Sequence, residues 1–228
     1  MKSLLLTGAA LALSLAAAAP AAAQVNGIGI TDPATSIVST EALAAAYGEI
    51  TNANQQQITQ LQQIQQQRQD LMRQFDSDQN GELSDAEITA AQANASAVQQ
   101  LQTLNQTIAQ TQRPITTAQV YAVEQLAMQY GPALQKVMAD KGVKLLIKPG
   151  AVDFPPPEAV LTDEVTAELD RLVPSVSTTV PEGWQPQQQS VALWEEVQQI
   201  IAQIAALRQA QGQQQPAAAA PTQPVPGR

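Results

Sequence analysis

Two long helix-patterned stretches, separated by one short polar loop, constrain this chain more than any other feature. From Glu41 to Phe75 there is no proline, and Gly48 is the one weak point. Ile50, Leu61, Ile64, Leu71 and Phe75 fall in a 3-4 heptad register that also places Asn54, Gln57 and Arg68 on the seam. Beyond the loop, Ile88, Ala91, Ala95, Val98, Leu101 and Ile108 continue at 3-4 spacing. A single short loop between such stretches predicts an antiparallel hairpin. About 36 residues at 1.5 Å each make an arm about 54 Å long. The polar seam positions predict a loosely packed, hydrated coiled coil. So thin an arm buries little surface alone, and a globular base or other copies of the chain must support it.

The base is read from the flanking segments. Arg113-Pro114 predicts a break, with the helix resuming at Ile115, kinking at Gly131-Pro132 and capped by Gly142. Val120, Val123, Leu126, Ala127, Leu134, Val137 and Met138 give it a denser apolar face than the arms have. Val25, Ile28 and Ile30 in "VNGIGITD" predict a short strand, and "ATSIVST" one helical turn. "VKLLIK" and "AVDF" predict two more strands, so Gly27–Thr31 and Val143–Phe154 would pair in one small sheet. Thr162 is expected to cap the helix "DEVTAELDRLV", which Pro174 stops. The fold class is therefore mostly α with a small β-sheet base. A long antiparallel coiled-coil hairpin projects from a small α+β body.

This divides the chain into a leader over 1–23, an N-terminal strand and turn over 24–39, and the hairpin arm over 40–112. Base helix, strands and short helix follow over 113–174, then a linker over 175–189 and an amphipathic helix over 190–211. That last helix carries Leu193, Val197, Ile200, Ile204 and Leu207 in a clean 4-3-4-3 register, widened by Trp194 and Ile201. Residues 212–228, rich in Pro, Ala and Gln, predict a disordered tail.

Lys2, the apolar run Leu4–Ala19 and the small residues Ala21-Ala22-Ala23 predict a secretory signal cleaved after Ala23. That implies export, most simply to a bacterial periplasm. The net charge is −9, and removing Lys2 with the leader leaves ten basic against twenty acidic residues. Such a balance argues against nucleic acid and against unaided binding to an anionic membrane. Only 3% of residues are aromatic, so a large globular core is not expected. The chain has no histidine, no phosphate-binding glycine loop and no evident pair of pocket carboxylates, so an enzyme is not expected.

The loop itself carries the most specific motif. Counting from Asp76 as position one, Asp78 is three, Asn80 five, Gly81 six, Glu82 seven, Ser84 nine and Glu87 twelve. This satisfies the EF-hand pattern D-x-[DN]-x-[DN]-G-x5-E over 76–87. The expected ligands are the side chains of Asp76, Asp78, Asn80 and Ser84, the carbonyl of Glu82 and a bidentate Glu87. Hard oxygen donors at this spacing suit Ca²⁺. A single unpaired loop points to weak affinity, about 10⁻⁴ to 10⁻³ M. The same residues also make a good turn and cap: "SDAE" at Ser84–Glu87 is a capping box.

The order of leader, short strand, helical hairpin, returning strand and small terminal helix resembles the Skp/OmpH family of periplasmic chaperones. The echoes are "TAQVYAVEQLAMQYGPALQKVMADKGVKLLIKPGAVDF" and "LTDEVTAELDRLVPSVSTTVPEGWQP", within a likeness spanning about Gly27 to Pro186. The resemblance implies a homotrimer with three hairpins around a cavity. It also implies ATP-independent holding of unfolded outer-membrane β-barrel proteins there. Three features lie outside the family pattern: the acidic charge, the EF-hand-like tip, and the helix and tail at the C-terminus. The last helix would either add a contact between copies or dock back on an arm. Two other readings remain: a calcium-responsive structural or adaptor protein, and a purely structural envelope coiled coil.

Overall fold

The computed structural model describes residues 27–213. The expected leader, Val25 of the expected first strand and the tail from 214 onward lie outside these residues. The elements run β1 (Ile28–Ile30), α1 (Pro33–Val38), α2 (Glu41–Ala53), α3 (Gln55–Arg73), α4 (Asp85–Ala93), α5 (Ala95–Lys141), β2 (Leu145–Ile147), α6 (Thr162–Leu172) and α7 (Gln188–Gln213). Single 3-10 turns occupy Pro149–Ala151 and Pro157–Ala159.

β1 and β2 pair in parallel, with Ile28, Gly29 and Ile30 opposite Leu145, Leu146 and Ile147. Parallel strands need a crossover, and here the crossover is the entire arm together with the base helix. An isolated parallel bridge joins Ile30 to Val160, so β1 is flanked on both sides. Gly29 is required at this crossing: a Cβ there would lie 2.4 Å from Leu161 Cδ1 and 3.0 Å from Val143 Cγ1. The expected strand "AVDF" does not form. A 3-10 turn takes up Pro149–Ala151, and the triproline after Phe154 removes the amides a ladder would need.

The core sits where α1, α2, α5, α6 and α7 meet. Ile37, Leu43, Val123, Leu126, Leu161, Val165, Leu169 and Val197 are all sealed from solvent. Polar ties fix these elements to one another. The Glu41 amide donates to Asp170 Oδ1 at 2.9 Å, so α6 caps the start of α2. Thr166 Oγ1 donates to the Ser36 carbonyl at 3.0 Å. Leu161, not Thr162, holds the N-cap position of α6, because its side chain is spent in the core while Thr162 opens the helix. Gly142, with φ +68°, ends α5 as expected.

Three helix boundaries differ from the sequence reading. α2 and α3 are divided at Asn54, not weakened at Gly48; the Asn54 amide group donates to the Ile50 carbonyl at 2.8 Å and closes α2. The returning helix of the hairpin is likewise divided at Asn94, whose side chain accepts from the Ala97 amide at 3.0 Å. α5 then runs unbroken through both Pro114 and Pro132. Both prolines are exposed, so water can satisfy the carbonyls they leave unpaired.

α7 begins two residues before the expected start and takes in Gly212 and Gln213 from the expected tail. It docks on α1 and α5 of its own chain and reaches Tyr47 near the root of the arm. No helix among the described residues is long and apolar enough to cross a membrane.

Candidate functional site

At the arm tip, the hairpin reverses through the polar loop. Gln79 and Gly81 adopt positive φ, +57° and +86°, which folds the acidic side chains inward. The Asp76 carboxylate accepts from the amides of Asn80 (3.2 Å) and Gly81 (2.9 Å). Asp78 accepts from the Asn80 amide and, at 2.8 Å, from its side-chain nitrogen. Asn80 Oδ1 in turn accepts from the Glu82 amide at 2.7 Å. One oxygen each from Asp76, Asp78 and Glu87 lies within 4.8 Å of the others.

Glu87 is the pivot of this loop. Its Oε2 accepts from the Ser84 amide at 3.0 Å and the Ser84 hydroxyl at 2.9 Å, and Ser84 Oγ accepts the Glu87 amide, completing the capping box. Its Oε1 accepts from the hydroxyl and the amide of Ser77, the latter at 2.6 Å. The Ser77 hydroxyl, then the Ser84 and Ser77 amides, hold the Glu87 carboxyl down to about 2. Of the six expected ligands, Asp76, Asp78 and Glu87 converge. Asn80 and Ser84 are tied to them by hydrogen bonds, and Glu82 joins through its backbone, with its side chain exposed. Ser77 was missed because position two carries no ligand role; only the folded loop brings it back onto Glu87. The donor set suits a hard cation, which would have to compete with the four donors now on Glu87.

Below the tip, the arm seam is open. Leu61, Ile64 and Leu71 are buried, as their register predicts, whereas Arg68 is exposed and Phe75 half-buried. On the returning side, Ile88 (39% exposed) and Ala95 face solvent. Ala91 is buried and Val98, Leu101 and Ile108 are half-buried, as expected, and past the division at Asn94 the seam also takes in Ala97 and Leu104. Ala97 and Leu104 were not expected there. Between α3 and α5 lies a cleft of about 510 Å³ lined by Gln67, Leu71, Gln99, Gln100, Thr103 and Leu104.

The sequence profile described as outer membrane protein (OmpH-like) matches residues 27–169. The chain belongs to the OmpH-like family. A crystal structure of a proposed OmpH-like outer membrane chaperone from Caulobacter crescentus CB15 is similar at 18% identity, with a TM-score of 0.42 over 67% of this chain and 89% of that one. No curated protein matches the chain.

The tip loop thus lies inside the OmpH-like span, while the segment after α6 lies beyond it. That segment was read as a linker, yet it is strapped onto the base. Gln125 donates from Nε2 to the Ser177 carbonyl and accepts the Ser177 amide, both at 2.9 Å. Trp184 meets the Tyr121 ring edge-on at 5.1 Å and donates from Nε1 to Glu124 Oε1 at 2.9 Å. The Gln187 amide donates to Glu124 Oε2 at 3.2 Å. Burial pushes the Glu124 carboxyl up, but donors from Ser190, Trp184 and Gln187 outweigh it, and its pKa lies below the ordinary value. Further along α7, Gln198 Nε2 donates to the Tyr47 hydroxyl at 3.1 Å, and burial pushes that phenol up to about 12. The pairing of Gln125 with Ser177 and of Glu124 with Trp184 spans more than fifty residues in each case, beyond the reach of local pattern.

Proposed function

We propose that this OmpH-like chain is a periplasmic holdase that binds unfolded outer-membrane β-barrel proteins between helical arms, without ATP. The observation that carries this reading is the open arm seam: isolated buried leucines and isoleucine alternate with glutamine, on walls that pack loosely. Such walls offer many weak, adaptable contacts to an extended chain without locking it. Keeping a client bound shifts mass action away from aggregation and needs no energy source. Self-association as a homotrimer would set several arms around one cavity. It is supported by the apolar surface at the sheet edge, where Leu145 is 55% and Leu146 38% exposed. Export to the periplasm rests on the leader pattern, and the acidic balance argues against nucleic acid and direct membrane contact.

The tip is proposed as a single weak Ca²⁺ site formed by Asp76, Asp78, Asn80, the Glu82 carbonyl, Ser84 and Glu87. Support comes from the full EF-hand spacing and the convergence of three carboxylate oxygens. In this reading calcium stiffens the turn and takes no part in holding clients. Calcium titration should saturate near 10⁻⁴ to 10⁻³ M, roughly, and Glu87→Gln should abolish it. A flat titration of the wild type leaves a turn and cap alone.

The test of the main reading is light scattering when an unfolded outer-membrane barrel protein is diluted from urea. Suppression both with about 1 mM calcium and with chelator is expected. Suppression with calcium only would favour a calcium-responsive adaptor, and no suppression in either condition would sink the holdase.

A further inference from the structure

Where the later turns of α7 pass the start of α2, a narrow groove of about 260 Å³ stays open between them. Its walls are aliphatic, with Val38, Leu43 and Ala44 on one side and Ile201, Ile204 and Ala205 on the other. The remaining lining residues are Tyr47 and Arg208. No acidic residue lines the groove, in a chain whose net charge is −9.

The polar groups here are donors without an acceptor. The Tyr47 oxygen accepts from Gln198 Nε2 at 3.1 Å, and its own proton goes to no acceptor among the described residues. Burial pushes that phenol up to about 12, so it keeps the proton it can donate. The indole of Trp194 lies beside the same oxygen but outside hydrogen-bond geometry, and its buried Nε1 has no acceptor among the described residues. Arg208 has no ion-pair partner among them either, and a guanidinium has donors only. A buried donor without a partner costs free energy and is rare in folded proteins. A surplus of donors beside an aliphatic groove calls for an acceptor carried on an apolar body.

We propose that this groove binds a single-chain fatty carboxylate, with its chain along the aliphatic walls and its carboxylate on Arg208 and the Tyr47 hydroxyl. A carboxylate supplies the acceptors that the groove lacks, and its bond to a guanidinium is of the stronger, charge-assisted kind. A peptide would bring amides that need partners of their own. The aliphatic walls, carried on helices whose backbone groups are already paired, offer none. The volume lies just below the range of about 300 to 1,000 Å³ that takes drug-sized ligands, which suits one slender chain and not a two-chain lipid. Neither the arm seam nor the tip contributes a residue, so the inference does not rest on the holdase reading.

Calorimetric titration of the full chain with decanoate, kept below its micelle concentration, tests this. One saturable site per chain is expected. Octanoate should bind at least about 10-fold more weakly, since each of the two lost methylenes is worth roughly fourfold. Decanol, which keeps the chain and loses the charge, should be weaker by about 10-fold. Arg208→Gln should weaken decanoate by about 10-fold and leave decanol unchanged, and Tyr47→Phe should weaken decanoate by about 5-fold. Ala205→Trp fills the groove from an exposed position, so binding should be lost while helicity stays at the wild-type value. Decanoate held as tightly by Arg208→Gln or Ala205→Trp, decanol bound as well as decanoate, or no saturable binding would each overturn the proposal.

Discussion

Base and arm are built from similar helices, yet they solve opposite problems. In the base, five helices contribute to one core, and Leu126, Leu161, Val165, Leu169 and Val197 have no exposure at all. In the arm, two slender faces meet, Leu61, Ile64 and Leu71 are its best-covered residues on α3, and the cleft beside Leu71 and Leu104 stays open. Dry packing gives the base one arrangement. Sparse packing with glutamine between apolar positions leaves the arm with few buried contacts to fix it. A rigid support and a loosely packed wall fit the proposed holding of an unfolded chain.

The sharpest way to break this comparison is to cut equal volume from each region. Leu126→Ala should cost about 2 to 5 kcal/mol in denaturant unfolding, as a sealed core leucine does. Leu104→Ala, half-buried on an open seam, should cost about 1 kcal/mol or less, since little surface returns to water. Comparable losses would mean that the arm is as dry as the base.

Gly29→Ala comes next. Its added Cβ meets the Leu161 side chain and Val143, and overpacking of this kind costs about 1 to 3 kcal/mol. Thermal unfolding should register it, whereas Gly48→Ala, with open space around it, should be neutral or slightly stabilising.

Trp184→Phe keeps the ring against Tyr121 but removes one donor from the buried Glu124, costing about 1 to 3 kcal/mol. Amide exchange should then rise across 175–187 and the start of α7 while the arm is unchanged. If the strap were the passive linker its composition suggested, exchange would already be fast in the wild type.

The smallest effect belongs to the tip. A carboxyl whose folded pKa is depressed contributes stability above its unfolded value, and loses that contribution as pH falls through the folded value. For Glu87 the window runs from its ordinary 4.5 down to about 2. Tip order, followed by the amide signals of Ser77 and Ser84, should persist at pH 5 and fade within that window. Glu87→Gln should flatten the dependence.

What was legible in the sequence is what local chemistry decides. The spacing of Leu61, Ile64 and Leu71 marked a helix face, "SDAE" marked a helix start, and Gly142 marked a helix end. Divisions at Asn54 and Asn94 were not legible, because an asparagine inside a helical run closes or opens a helix only when its side chain finds the right backbone group. Ala91, Val98, Leu101 and Ile108 are covered as their spacing predicts, and past the Asn94 division Ala97 and Leu104 join them while Ala95 is exposed. Pro114 failed as a stop because it faces solvent within a helix held by packing further on. The strap was hidden for a different reason. Trp184, Gln187 and Ser177 look like linker residues until Glu124 and Gln125, on a distant helix, supply their partners.

The central claim is that clients are held by the pliable arms and not by the rigid base. Hydrogen exchange of the chain, alone and with a barrel protein freshly diluted from urea, tests it most directly. The account predicts new protection along Leu61–Leu71 and Ala97–Ile108, with Ala118–Leu126 slow and unchanged in both states. Protection that rises in the base alone, or in neither region, would contradict it.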